Sequence, residues 1–164
     1  MQLRNVFDYK NQLMHDLLEN ENIVKLIDSN IPIADARKLA YKKVFPYEYL
    51  PDTANNGDTF VCFDVDVLEV YNKTFLSPTL YVWIFTHRTN MRLKEGGLRV
   101  DELCALLCEK INGSRDYGMG QLEFQSMRRF APMTDFQGKC LTFKAVDVNK
   151  YHEPIFKAPA RRGG

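Results

Sequence analysis

The chain has 164 residues, of which 45% are hydrophobic and 26% are charged. A chain of this length and composition can bury one sizeable core without a cofactor or a disulfide. Its 22 basic and 21 acidic residues leave a formal charge of +1, which argues against a protein specialised for nucleic acid or for an acidic membrane surface.

The first ~45 residues predict three helices. The apolar face of the first helix consists of Leu13, Met14, Leu17 and Leu18. Residues 20–22 interrupt the pattern, a short second helix follows and ends near 28–30, and residues 34–44 predict a third helix. Pro46 ends this helical segment, and residues 51–57 have the composition of a loop.

From Thr59 the spacing of apolar residues changes from helical to alternating, which predicts a strand with one buried face. The buried face consists of Val61, Phe63, Val65 and Val67. The other face carries Cys62, Asp64 and Asp66 and is expected to be solvated. The alternation slips at 68–70, as it does at a β-bulge.

A turn is predicted at 72–78, and the strand after it, Leu80–Phe85, is apolar on both faces. Such a strand is central in a sheet, or a partner covers its second face. A polar connection at 90–97 leads to an amphipathic helix over 100–111, which Asn112 and Gly113 end. Two more strands are predicted at 122–127 and 141–146, with a loop at 131–138 between them.

The order αααββαββ predicts an α+β fold, with one helix packed across a four-stranded sheet that is antiparallel or mixed. We expect one domain over 1–150, with the helical segment at 1–45 and the sheet and its helix at 58–149. Residues 151–164 have the composition of a C-terminal tail. The apolar stretches are far shorter than the roughly 20 residues that span a bilayer, so we expect a soluble protein made in the cytoplasm.

Asp64 and Asp66 project from the same strand face about 7 Å apart, as carboxylates do in two-metal nucleases. The further acidic and basic residues that such a site needs occur in no recognisable spacing. The alternation alone favours a solvated strand face, so we predict no catalytic residues and a non-enzymatic protein. A metal-dependent nuclease that uses Asp64 and Asp66 is the alternative.

The four cysteines match neither a CxxC pair nor a zinc ribbon, and two of them fall in the apolar stripe of the 100–111 helix. We therefore predict reduced thiols, no metal site and no cofactor. The cysteines are Cys62, Cys104, Cys108 and Cys140. The three histidines, His15, His87 and His152, form no catalytic motif, and His87 is expected on the surface. The glycine-rich segment 113–120 lacks a P-loop lysine and is expected to be a mobile connection.

Residues 58–149 resemble the tail terminator and neck (tail-completion) proteins of tailed phages. The likeness rests on the strands Phe60–Val65 and Leu80–His87, on Gly97–Leu103 at the start of the helix, and on Asp135–Phe143. The helices at 1–45 are similar to the leading helical segment of that family. The resemblance implies a structural subunit that assembles as a ring, typically a homohexamer, at the head-proximal end of the tail tube. There it would stop tube growth and join the neck or head connector.

The implied partners are further copies of the chain, the tail tube protein, the neck or head-connector protein and, without sequence specificity, DNA in the channel. The implied location is the virion, and no membrane partner is expected. The doubly apolar strand predicts a subunit interface, because one helix cannot cover both of its faces. The predicted interface residues are Tyr81, Trp83, Phe85, His87, Arg88, Arg92 and Arg99. The segments 88–97 and 114–120 are expected to be flexible until a neighbour orders them. A host-side binding module is a third possibility.

Overall fold

The computed structural model describes residues 5–52, 57–71, 75–145 and 147–148. It confirms the predicted α+β class. The α-helices are α1 (Asn5–Glu19), α2 (Glu21–Ile27) and α3 (Arg99–Ile111), and two short 3₁₀ helices cover Ile33–Leu39 and Arg88–Asn90. The strands are β1 (Val44–Phe45), β2 (Thr59–Tyr71), β3 (Phe75–His87), β4 (Glu123–Met133), β5 (Phe136–Lys144) and β6 (Asp147–Val148). The tail predicted at 151–164 lies outside the described residues.

The two N-terminal helices follow the sequence pattern. Helix α1 buries the predicted apolar face together with Tyr9. The break at Asn20 is a helix cap, because its side-chain oxygen accepts the backbone N–H groups of Asn22 and Ile23 at 3.1 and 3.2 Å. Helix α2 can therefore begin at Glu21 in a new direction.

The prediction of a third helix at 34–44 is wrong after residue 39. A 3₁₀ helix ends at Leu39, and Tyr41 adopts a positive φ of 58°, which turns the chain out of helical geometry. Val44 and Phe45 then pair in parallel with Val61 and Cys62 of β2. The β-branched and aromatic side chains of this dipeptide suit a strand, and pairing with β2 outweighs the local helical spacing.

The sheet has the strand order β1-β2-β3-β5-β4, and β6 pairs with the beginning of β3. All pairs except β1–β2 are antiparallel. The bulge predicted at 68–70 is confirmed by the register shift between Val67 and Glu69. The prediction of four strands missed the two-residue strands β1 and β6, because a dipeptide shows no period.

Two predicted connections are wrong, because strands occupy much of them. Strand β3 begins at Phe75, inside the turn predicted at 72–78, and β4 and β5 reach Met133 and Phe136, inside the loop predicted at 131–138. The prolines and glycine of these stretches indicated loops. Pro132, however, lies on an outer strand, where a missing N–H costs little, and Gly138 lies within β5.

The main core lies between one face of the sheet and the helices. Strand β3 contributes Leu80, Val82 and Ile84, and α3 contributes its predicted apolar stripe. Helix α3 ends as predicted, with Asn112 as its C-cap and Gly113 at a φ of 79°. This layer buries the first face of the doubly apolar strand.

A second, smaller core lies on the opposite face of the sheet. Its buried members are Phe45, Phe60, Cys62, Phe85 and Phe136. The chain after β1 covers this end of the sheet, since the Tyr49 ring stacks on Phe45 at 3.9 Å and the Cys62 thiol points to the Tyr49 carbonyl at 3.9 Å. The solvated face predicted for β2 is therefore wrong at Cys62, which is fully buried.

Candidate interaction surface

The residues that the structure describes cover only half of the second face of the sheet. Beyond the second core lie Tyr81 and Trp83, both half-buried, with their rings stacked at 5.8 Å and 17°. Their neighbours across the sheet on this face are Asp64, Cys62, Cys140, Thr142 and Arg128. We call the part formed by Asp64, Asp66, Tyr81, Trp83, Cys140, Thr142 and Arg128 the open face.

Of the predicted interface residues, Tyr81 and Trp83 lie together on this open face. Phe85 and His87 continue the same side of β3 but are only 1% and 4% exposed. Phe85 packs against the rings of Phe60 and Phe136, and His87 packs edge-on against Phe136. The surface position expected for His87 is therefore wrong, because the second core covers its ring.

The three predicted arginines lie around the connection from β3 to α3. Arg88 is exposed and pairs with Asp135 at 3.1 Å, and Arg92 is exposed. Arg99 is half-buried and donates to the carbonyls of Leu26 and Asn90 at 2.6 and 2.9 Å. Arg99 thus ties α2 to the start of α3 within the chain.

The segments expected to be flexible have defined structure within the described residues. The 88–97 connection forms a 3₁₀ helix, and Arg92 forms an isolated bridge with Leu98. In the glycine-rich segment Tyr117 and Met119 are buried in the main core, and Gly118 lies against the Tyr9 ring. Packing of these two apolar side chains holds the segment that composition alone indicated to be mobile.

Asp64 and Asp66, the residues of the nuclease alternative, lie on β2 as predicted. Asp64 forms an ion pair with Lys10 of α1 and accepts the Val65 N–H at 2.8 Å. Glu123 cannot join them, because β4 lies three strand spacings away, about 14 Å. Across the described residues no three His, Cys, Asp or Glu side chains form a group that could hold a metal ion.

The cysteines are free thiols in different settings. Burial raises the pKa of Cys62 and of Cys104 to about 12. Burial also raises the pKa of Cys108 and of Cys140. All four thiols are therefore held in the protonated form, which is a poor nucleophile and a poor metal ligand.

A polar cavity of about 330 Å³ lies where α2, β1, β2 and the start of α3 meet. Lys43 crosses it and pairs with Asp28 at 2.9 Å and with Asp58 at 3.4 Å. These three side chains are about a quarter exposed or less, so their pairing is only partly screened by water. The cluster links the helical segment to the sheet.

This ion cluster predicts a pH dependence of stability. Burial raises the pKa of Asp28, but hydrogen bonds from Lys43 and from the Asn30 N–H outweigh it and bring the pKa below the ordinary value of 3.8. Because the folded-state pKa is the lower one, the stabilisation is complete above the unfolded-state pKa and is lost as pH falls through the folded-state pKa. We expect Lys43→Met to cost about 1–3 kcal/mol at neutral pH and to flatten the loss of stability below about pH 4.

Urea unfolding at neutral pH and at about pH 3 measures both effects. Lys38→Met is the matched control, since Lys38 pairs with Asp35 while 67% exposed, and its loss should cost less than about 1 kcal/mol. An unchanged pH dependence in Lys43→Met would contradict the role of this cluster.

The fold and these surfaces define a small α+β protein. Its described residues cover one face of the sheet fully and the other face by half. A family model for YomW matches residues 20–145, from the cap of α2 to the end of the sheet's long strands, and the chain belongs to the YomW family. Membership of this family indicates a phage-related protein. A comparison with curated proteins gave no match.

Within the described part of the chain, no helix has the length and apolar character needed to cross a membrane.

Proposed function

We propose that this chain is a structural subunit of a phage tail or neck, a tail terminator that forms a ring at the head-proximal end of the tail tube and joins it to the neck. Its phage-related family and its small α+β fold support this proposal. In this role it has no catalytic site and no cofactor. Its partners are its own copies in a hexameric ring, the tube protein, the neck or connector protein and the DNA that passes through the channel.

The observation that carries the proposal is the stacked pair Tyr81 and Trp83 on the open face. Large aromatic side chains that stay partly exposed in the middle of a sheet are characteristic of protein interfaces, where they supply much of the binding energy. Asp64 lies beside Tyr81, and Arg128 lies beyond Cys140 on the outer strand, so both sides of the aromatic pair have a polar rim. Such a surface suits a permanent neighbour in an assembly.

Disruption of the gene in its phage tests the proposal. We expect particles with tails of uncontrolled length or heads without attached tails, and normal particles when the wild-type chain is supplied. A chain with Trp83→Ser should fold but fail to restore normal particles. The control is Phe7→Ser, which replaces an aromatic residue of α1 that is 69% exposed, and it should restore normal particles. Normal particles from the disrupted phage would overturn the proposal.

A further inference from the structure

Both outer edges of the sheet are open within the described residues. Strand β1 covers the outer side of β2, the side away from β3, only at Val61 and Cys62. Among the described residues no strand pairs with that outer side from Phe63 to Tyr71. Strand β4 forms the opposite edge over Glu123–Met133. Edge strands carry unpaired backbone N–H and C=O groups, and these groups are templates for pairing with another strand.

The two edges carry opposite charge. The open part of β2 contains Asp64, Asp66 and Glu69 and no basic residue. The regular middle of β4, between its two register shifts, contains Arg128 and Arg129 and no acidic residue. Asp66 and Arg128 are both exposed and form no ion pair among the described residues. Asp64 already pairs with Lys10 of α1, so Asp66 and Arg128 are the opposite charges that the two edges can bring together.

The side chains of this pair also lie on the same side of the sheet. Asp66 is opposite Thr79 and Asp64 is opposite Tyr81, while Arg128 is opposite Cys140, which is opposite Trp83. Because side chains alternate along a strand, Asp64, Asp66, Tyr81, Trp83 and Arg128 share the open face. If β4 of one copy lay beside β2 of the next, Arg128 would stand next to Asp64 and Asp66.

Strand direction permits this contact without a change of orientation. The long strands alternate in direction in the order β2, β3, β5, β4, so β4 runs opposite to β2. Two copies placed side by side in the same orientation therefore meet as an antiparallel pair, like every long pair within the sheet. The helices stay on one side and the open face continues from copy to copy.

Charge disfavours the symmetric alternatives. Pairing β4 with β4 would bring Arg128 and Arg129 against their own copies. Pairing β2 with β2 would bring Asp64 and Asp66 against theirs. Like charges placed opposite each other on neighbouring strands are destabilising. A contact between two different edges is head-to-tail, and such a contact closes into a ring when the rotation per subunit permits.

We infer that copies of this chain join head-to-tail, the β4 edge of one against the 63–71 edge of β2 of the next, with Arg128 beside Asp64 and Asp66. The inference deepens the proposed function by naming the contact within the ring, and it rests on that function for its place in the particle. The Val61 N–H points outward to the Lys43 carbonyl, so by alternation the Val65 N–H points to the same edge. In the isolated chain the Asp64 carboxylate accepts this N–H and pairs with Lys10. A neighbouring strand would replace the bond to the N–H, and Arg128 would join Lys10 beside the carboxylate.

Charge reversal tests this contact in the full chain. The oligomeric mass of wild type, Asp66→Lys, Arg128→Glu and the double variant is measured by sedimentation over a range of concentrations up to the solubility limit. We expect wild type to self-associate, each single variant to do so about tenfold more weakly, and the double variant to recover most of the loss. Glu109→Lys, the same change of charge on the exposed side of α3, should behave as wild type.

The control for folding is the midpoint temperature of thermal unfolding. We expect each variant to have the wild-type midpoint, because the substituted positions are exposed. A wild-type chain that stays monomeric at every concentration overturns the inference, and so does a double variant as weak as the singles. Recovery of self-association by the double variant, with the chain missing from phage particles, would overturn the proposed function and leave the edge contact standing. If the chain is present in particles but charge reversal leaves its self-association unchanged, the edge contact is overturned and the proposed function stands.

Discussion

Replacing Gly138 by alanine is expected to lower the free energy of unfolding by about 3 kcal/mol, the upper range for an inserted methyl group that the surroundings cannot accommodate. A Cβ at this position would lie 2.0 Å from the Ile84 carbonyl oxygen and 2.6 Å from the Phe85 Cβ. Backbone atoms of β3 cannot move aside without disturbing both cores, so β5 would have to shift away from β3. Urea unfolding of the purified variant measures the loss.

The matched control is Gly96→Ala, which introduces the same methyl group where no atom lies within 4 Å. Its φ of 99° still disfavours alanine, so we expect a smaller loss of about 1 kcal/mol. A Gly138→Ala protein as stable as wild type would contradict the close approach of β5 to β3.

Phe85→Ala is expected to cost about 3–5 kcal/mol, because it empties the centre of the second core. The Phe85 ring is 1% exposed and lies 5.3 Å from the Phe60 ring, 5.7 Å from that of Phe130 and 5.8 Å from that of Phe136. The cavity could not close easily, since these rings are anchored on β2, β4 and β5. Denaturant unfolding gives the change in stability.

Phe7→Ala is the control for this substitution, because it removes the same ring from a site that is 69% exposed. Its effect should stay within about 0.5 kcal/mol of wild type. A similar small effect of Phe85→Ala would mean that the second core contributes little to the free energy of folding.

Periodic elements of the fold could be predicted from the sequence. The stripe on α1, the alternation of β2 with its bulge and the amphipathic α3 with its cap at Asn112 each have a local signal, and the structure contains all of them. Strand β1 has no such signal, since its two residues form a strand only because β2 lies beside them. Long-range pairing also carries β4 past Pro132 to Met133, where local composition indicates a loop.

The candidate surface could be predicted only in part, for a similar reason. The apolar residues on both sides of β3 were visible in the sequence and indicate that its second face needs a cover. The sequence does not show that the chain itself supplies half of that cover, through Phe45, Tyr49 and Phe136, which belong to distant segments. The sequence did contain one indication of the second core. Phe60 and Cys62 are apolar and lie two residues apart on the face of β2 that was predicted to be solvated.

The two edges were beyond prediction from the sequence, because strand order decides which strands are outermost. In the sequence, Asp64 and Asp66 lie within a predicted strand, and Arg128 and Arg129 directly follow one. Only the order β1-β2-β3-β5-β4 places the acidic and basic sets on opposite edges. Their complementarity is therefore a property of the topology.

The proposed role of this chain as a structural part of a phage particle can be tested by quantitative mass spectrometry of purified particles. We expect the chain in a small, fixed copy number that fits one ring per particle, and we expect it to stay with detached tails or necks. A chain that is abundant in infected cells but absent from purified particles would contradict this proposed role.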